Sequence, residues 1–469
     1  METLIYNNAV TYGKYYIDPG WSMLERKAEQ IIADWIRNGK NALLVSGARQ
    51  VGKTYSIRKC LKELEADYLE INLIKTPKLI EALANAETVD DLKINISAST
   101  NYKFTDGKSV IFIDEVQECK EIVTKIKFWV DDGRYRFVLS GSLLGIELND
   151  VRSVPVGYLK EIEMFPLDFE EFLRASGVLE ETIDYLKDAF VKETAVSDIV
   201  NEKMMSHLYR YLVVGGMPEA VQEYVNSGDI GKVSDIQESI IRTYKRDFTK
   251  YERQDKKLML ISVFDQIPSN LLKQNKRFIY SDIKNGLKFE RVESSFLWLS
   301  SAGVSIPVYN ATEPRVSLNQ NKKSSLLKLY SSDVGLLTKQ YGDSIRYGIL
   351  VKNPQINLGG IFENFVAQEI NSHKFDGYFY NSHKQGELDF VIENEGKVIP
   401  IEVKSGKDYY IHSALNNAVQ NREYQIEKAY VFADCNTKVD EKIRYMPIYM
   451  VSFLTQNVEM PVLKPIEYI

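Results

Sequence analysis

The sequence predicts an α/β protein: a parallel sheet under helices at the N-terminal end, a helical middle region, and a second α/β unit at the C-terminal end. Three observations carry this. Short apolar runs alternate with helical stretches over the first third of the chain, the pattern of a parallel sheet covered on both faces. Helical spacing takes over between Phe165 and Lys250. Strand-like runs then return in quick succession as GYFYNS, GELDFVIE and KVIPIEVKS.

Residues 22–39 read as an amphipathic helix with Leu24, Ile31, Ile32 and Trp35 toward one side. The run NALLVSG ends at Gly47, and a helical stretch opens at Lys53. Strand-like runs follow at 67–73 (DYLEINL), 109–115 (SVIFIDE) and 135–141 (YRFVLSG). Residues 257–315 suggest two short helices before a strand, an order that resembles a winged helix-turn-helix. The expected units are 1–165, a helical lid-like region 166–256, a winged-helix-like module 257–318, and a C-terminal unit 319–469.

A chain of 469 residues exceeds one hydrophobic core. Its 44% hydrophobic and 26% charged content is that of an ordinary globular protein. A net charge of -6 excludes a global basic field, so nucleic acid would have to meet a local patch. TYKRDFTKYERQDKK (243–257) and QNKKSS are the candidate patches, although solvated helix faces carry such runs routinely. The three cysteines are far apart and fit no metal-ligand spacing, which suits a reducing compartment. No run of about 18 apolar residues occurs, so a cytoplasmic protein without a membrane span is expected.

The segment GARQVGKT, from Gly47 through Ala48, Arg49, Gln50, Val51, Gly52 and Lys53 to Thr54, matches G-x-x-x-x-G-K-[ST] after a strand and before a helix. Glycines let the backbone curl so that successive N–H groups converge on phosphate oxygens, and the helix N-terminus adds positive potential. Lys53 would meet the β- and γ-phosphates of ATP, and the Thr54 hydroxyl would meet Mg²⁺. Sixty residues on, VIFIDE puts Asp114 and Glu115 at the end of an apolar strand, where charge is costly without a purpose. Asp114 would hold Mg²⁺ and Glu115 would orient or deprotonate the attacking water. The next strand ends in LSGS, with Ser140 and Ser142.

The string GARQVGKT, FIDEVQ, LSGS and EMFPLDFEEF, with YLVVGGMPEAV, KLYSSDVGLL and GGIFENFVAQEI, resembles a bacterial and archaeal group of AAA+-like ATPases. In that group a P-loop domain is followed by a C-terminal domain of unknown function (DUF4143). The resemblance implies ATP binding, a five-stranded P-loop NTPase core, and a polar residue near the γ-phosphate, for which Ser142 is favoured by register. It also implies a site that a neighbouring subunit can complete. Where relatives resemble G-R this chain has Gly157–Tyr158, so the stabilising arginine is unassigned among Arg49, Arg134, Arg136 and Arg152.

Near the C-terminus, Asp389 precedes Glu402-Val403-Lys404 across two strand-like runs. Glu402 and Lys404 would share one face of a strand. Two carboxylates can hold Mg²⁺ beside a lysine that activates water. This resembles the PD-(D/E)xK nuclease-like fold, and Glu363 in GIFENFVAQEI matches the extra acid of some of its branches. The expected function is an ATPase that couples nucleotide state to a DNA-contacting nuclease-like domain. The alternative is an ATP-gated module whose nuclease-like fold only holds a protein partner. His383 and His412 receive no role.

Overall fold

The computed structural model describes residues 10–12, 24–142, 157–251, 254–283 and 288–456. Arg152, one of the arginine candidates, lies outside them. The first sheet contains β1 (Val10–Tyr12), β2 (Ala42–Ser46), β3 (Tyr68–Asn72), β4 (Val110–Asp114), β5 (Arg136–Ser140) and β6 (Leu159–Glu163). Their order is β1-β3-β4-β5-β2-β6. The last five run parallel, while β1 lies antiparallel on the edge.

Both faces of this sheet are covered, so β2 and β4 are apolar at nearly every position and wholly buried. Alternation still divides the side chains. Leu43, Val45, Val110, Phe112 and Val138 join Ile32, Trp35, Ile57 and Leu61 of helices Lys27–Asn38 and Lys53–Glu63 in one core. Leu44, Ile111, Ile113 and Leu139 join Leu83, Ile96, Ile126 and Trp129 in the other. Parallel register brings the ends of three strands level: Asn72 faces Asp114 across β3 and β4, and Asp114 faces Ser140 across β4 and β5.

The second sheet has eight strands: β7 (Ser305–Ala311), β8 (Lys322–Ser331), β9 (Tyr378–Ser382), β10 (Gly386–Asn394), β11 (Lys397–Lys404), β12 (Ala429–Ala433), β13 (Lys438–Asp440) and β14 (Ile443–Pro447). Their order is β13-β14-β12-β11-β10-β9-β7-β8. The hairpin β7–β8, on either side of residue 318, therefore extends the sheet that β9 to β14 build. Helix Gly359–Ser372 packs against it and is buried at every position from Gly360 to Ile370. Among the described residues no helix is long and apolar enough to cross a membrane.

Between the sheets, helices run from Phe169–Ala175 through Gln254–Leu271, and three backbones meet without side chains between them. A Cβ on Gly216 would lie 2.0 Å from the Leu167 carbonyl oxygen, and one on Gly335 would lie 2.6 Å from Val214. Asp333 seals the junction: it accepts Gly216 N–H at 2.6 Å and caps helix Val334–Tyr341 by accepting Leu336 N–H at 2.8 Å. Burial pushes its carboxyl up to about 6. Thus the glycine pair of VVGGMPEA and the S-D-V-G of KLYSSDVGLL are two halves of one contact.

Nearby, Phe169 N–H donates to Glu369 Oε1 at 3.0 Å, beside Asp168, His373 and Lys27. Burial and the Asp168 charge push Glu369 up to about 7, although His373 and Lys27 oppose them.

Two expectations follow. Gly216→Ala has no room for its methyl and should lower stability by about 3 kcal/mol or more, read as the urea midpoint. Glu369 binds its proton in the folded state between its unfolded value, 4.5, and about 7. Its contribution to stability is therefore present at the acid end of that window and lost as pH rises through it, by up to about 1.4 kcal/mol per pH unit. Glu369→Gln should flatten the difference in urea stability between pH 5 and 7; an unchanged slope would exclude Glu369 as its source.

Candidate nucleotide site and C-terminal acid cluster

The loop 47–52 links β2 to helix Lys53–Glu63, and its backbone takes the conformations that a phosphate cradle needs. Gly47 has φ +133° and Gly52 φ +96°. A Cβ on Gly47 would lie 2.2 Å from the Met164 carbonyl oxygen, so only glycine fits against the segment that follows β6. Lys53 is 8% exposed. Its ammonium lies inside the loop, donating to Gly47 O at 2.9 Å and Ala48 O at 2.7 Å. Burial pulls its pKa down to about 8, opposed by Glu115 and Asp114 and aided by Arg49.

Asp114 is the hub. It accepts from Thr54 Oγ1 at 3.0 Å, from Asn72 Nδ2 at 2.9 Å, and from Ser140 Oγ. Thr54 and Asp114 together present hard oxygen donors beside the cradle, a set that fits Mg²⁺. Glu115 follows with a left-handed φ of +61° and accepts from Gln117 Nε2 at 2.5 Å. Ser142 is buried, and its Oγ has no hydrogen-bond partner among the described residues; Ser140 is the serine of LSGS that touches the acid.

Each described arginine candidate is engaged. Arg49 pairs with Asp247 at 2.9 Å, and Tyr244 donates to the Arg49 carbonyl at 3.2 Å, both from helix Ile230–Tyr251. Arg134 binds Asp132 and Asp90, and Arg136 donates to Ile36 O. Asn41 donates to the Gly157 carbonyl at 2.8 Å, next to Tyr158, whose carbonyl accepts from Ala42 N–H. A further residue that holds the loop was not singled out by sequence: Arg26 donates to Val51 O at 2.7 Å and Phe165 O at 2.6 Å, and pairs with Glu171 at 3.2 Å. Asn72 was also missed. Its signal was a polar residue closing an apolar strand, the same signal that marked Asp114.

The C-terminal candidates do come together. Glu363 of helix Gly359–Ser372 faces Asp389 of β10 and Glu402 of β11 closely enough for their charges to interact. Lys404 pairs with Glu402 at 2.8 Å on one face of β11, as alternation requires. A fifth member changes the electrostatics. Lys328 of β8, 1% exposed, places its ammonium 3.5 Å from Glu363, 2.9 Å from Glu387 and 3.7 Å from Asp389. Lys276 adds a contact to Glu363 at 2.7 Å, and Tyr330 donates to it at 3.0 Å.

Burial pushes Glu363 up, but Lys328 and Lys276 outweigh it and hold the group below the usual range. Asp389 is pushed well above that range by burial and by Glu363 and Glu402; it also accepts the Val403 N–H at 2.9 Å. Among the described residues no group of three or more His, Cys, Asp or Glu could hold a metal ion. Lys328 and Lys276 thus supply the positive charge nearest Glu363, one of the three acids at which sequence led to the expectation of Mg²⁺ with Asp389 and Glu402. His412 bonds Tyr445 at 2.8 Å and His383 is exposed, away from this cluster.

Residues 39–173 match the family model described as an AAA domain. The chain carries an AAA-type P-loop ATPase domain. β2, the loop 47–52 and Asp114–Glu115 lie within the matched residues. Residues 205–344 and 358–451 match two further models, each described as a domain of unknown function, DUF8612 and DUF4143. The junction at Gly215–Gly216 and Asp333–Gly335 falls within the first of these; Glu363, Asp389, Glu402 and Lys404 fall within the second.

Among solved structures, a Walker-type ATPase of Pyrococcus abyssi is similar at 15% identity and TM-score 0.42, over 68% of this chain and 96% of that one. The AAA domain of FIGL-1 in complex with ADP is similar at 16% identity and TM-score 0.28, over 51% and 81%. The RuvB protein of Thermotoga maritima is similar at 12% identity and TM-score 0.28, over 60% and 89%. No curated protein matches the chain.

Removing one partner from a buried ion cluster strands the others. Lys328→Ala should therefore destabilise the protein by about 3–5 kcal/mol at pH 7, with a smaller loss in acid, where the stranded carboxylates take up protons. Urea melts at pH 5 and 7 measure both effects; a neutral substitution would show that the lysine is not the acids' counter-ion.

Proposed function

We propose that this protein is a Mg²⁺-dependent ATPase whose nucleotide state is passed to its C-terminal α/β unit. The observation that carries the reading is the convergence of Lys53, Thr54, Asp114 and Glu115 around one cradle at the ends of β2 and β4. Loop N–H groups and Lys53 would bind the β- and γ-phosphates. Thr54 and Asp114 would hold Mg²⁺, which neutralises charge that builds on the transferring phosphoryl group. Glu115 would orient the attacking water and receive its proton. No described arginine candidate lacks a protein partner, which favours a stabilising arginine supplied by a second copy of the chain. A cytoplasmic setting belongs to the same reading.

Coupling has a direct route. Binding at Arg49 and Ala48 would press on helix Ile230–Tyr251 and on Gly303, whose Cβ position lies 3.0 Å from the Ala48 nitrogen. Gly303 leads within two residues into β7 of the second sheet. What that sheet contacts has two readings. DNA, held by a nuclease-like fold, is the one expected from sequence. A protein partner is the other, and the buried Lys328 favours it, since its charge would compete with a cation for the same carboxylates.

Lys53→Ala should abolish nucleotide binding and hydrolysis, whereas Glu115→Gln should keep binding and lower kcat by about 10² or more. Hydrolysis surviving both changes would refute the site. DNA binding that falls steeply with salt would support the DNA reading; hydrolysis indifferent to DNA, with no salt-sensitive binding, would support the protein partner.

A further inference from the structure

We propose that Gln117 is a positioning residue for hydrolysis, which holds Glu115 through its amide nitrogen and offers its amide oxygen to the attacking water. The inference rests on the ATPase reading above. β4 stops at Asp114, and the chain turns left-handed at Glu115 straight into a single 3₁₀ turn over Val116–Glu118. Glu118 N–H donates to the Glu115 carbonyl at 3.0 Å and Cys119 N–H to that of Val116 at 3.0 Å, which fixes the turn. The Gln117 side chain comes back to its neighbour, and Nε2 donates to Glu115 Oε2 at 2.5 Å.

This separates the two acids. Asp114 is tied to the P-loop helix and to the strands beside it through Thr54, Asn72 and Ser140, which suits a metal-holding role. Glu115 accepts from the Gln117 side chain instead, so the amide sets where its second oxygen points.

The other half of the amide is the second observation. Gln117 is 7% exposed, and its Oε1 has no donor among the described residues. Buried polar atoms are nearly always satisfied, so an orphan at this place calls for a ligand. Because a carboxylate accepts only, Nε2 must face Glu115, and Oε1 is left over as an acceptor. A water beside the pair can donate one hydrogen to Glu115 and the other to Gln117 Oε1, with a lone pair free for phosphorus. The water oxygen then bonds to the γ-phosphorus as the bond from that phosphorus to the β–γ bridging oxygen breaks. The bond's electron pair leaves with ADP, and the water proton passes to Glu115. Ser142, whose buried Oγ likewise has no partner among the described residues, lies just past the adjacent strand end.

The test uses the full chain with Mg²⁺–ATP: steady-state hydrolysis beside the Kd of a fluorescent ATP analogue, for the wild type, Lys53→Ala, Gln117→Ala and Gln117→Met. Methionine keeps the side-chain volume and removes both hydrogen bonds. Both Gln117 variants should lose about 10²-fold in kcat, with Kd within about twofold of the wild type and, for the Met variant, an unchanged unfolding midpoint. Wild-type kcat in Gln117→Met would overturn the role and assign Gln117 to packing, as would a Kd that weakens in step with kcat. A wild type that binds the analogue but hydrolyses no more than Lys53→Ala would overturn the ATPase reading itself, a result visible before any Gln117 variant is measured.

Discussion

Arg26 is the buried contact on which the nucleotide loop depends. Its guanidinium joins a loop carbonyl, Val51, to the Phe165 carbonyl and the Glu171 carboxylate. A planar fork with five donors can serve three acceptors at once, which a lysine cannot. Glu171 needs the partner in turn: it is buried, caps helix Phe169–Ala175 by accepting the Asp168 N–H, and accepts the Lys27 N–H at 2.6 Å. The loop's shape is therefore set as much by the segment EMFPLDFEEF as by its own glycines. Gly47 makes the same point sterically, since the Met164 carbonyl occupies the place of its missing Cβ.

From that segment the constraint passes on through helix Gly359–Ser372. Glu369 accepts the Phe169 N–H, and Gln368 bonds both Tyr211 and the Val334 N–H. Two turns earlier Glu363 holds Lys328 and Lys276. Six residues of helix rise roughly 9 Å, so one rigid element touches the base of the ATPase domain at one end and the C-terminal acid cluster at the other. With every position from Gly360 to Ile370 buried, the helix has no soft face to absorb a displacement.

The legible parts of the sequence were those that local pattern decides. GARQVGKT and VIFIDE are continuous, and their chemistry follows from strand and helix ends that a few residues define. Parallel strands with both faces buried were readable for the same reason, as unbroken apolar runs. Arg26 was not readable, because its role exists only through a contact between residues 26 and 171, and Asn72, although it closes an apolar strand, meets Asp114 only through the register of β3 and β4. Gly215 and Gly216 stood out as a pair, but what they make room for is Leu167 and Asp333, far off in the chain.

The same limit explains the C-terminal unit. Asp389, Glu402 and Lys404 lie where two adjacent antiparallel strands should put them, and the triplet invites a metal. A metal site, however, is defined by which positive charge answers the acids, and no local motif records that. Here a positive charge comes from Lys328 on β8, three places from β10 and four from β11 in the sheet. Its ammonium lies among Glu363, Glu387 and Asp389, so the positive charge beside these acids comes from outside the strands that carry the triplet. The cluster thereby ties β8, β10 and helix Gly359–Ser372 to one another through buried charge.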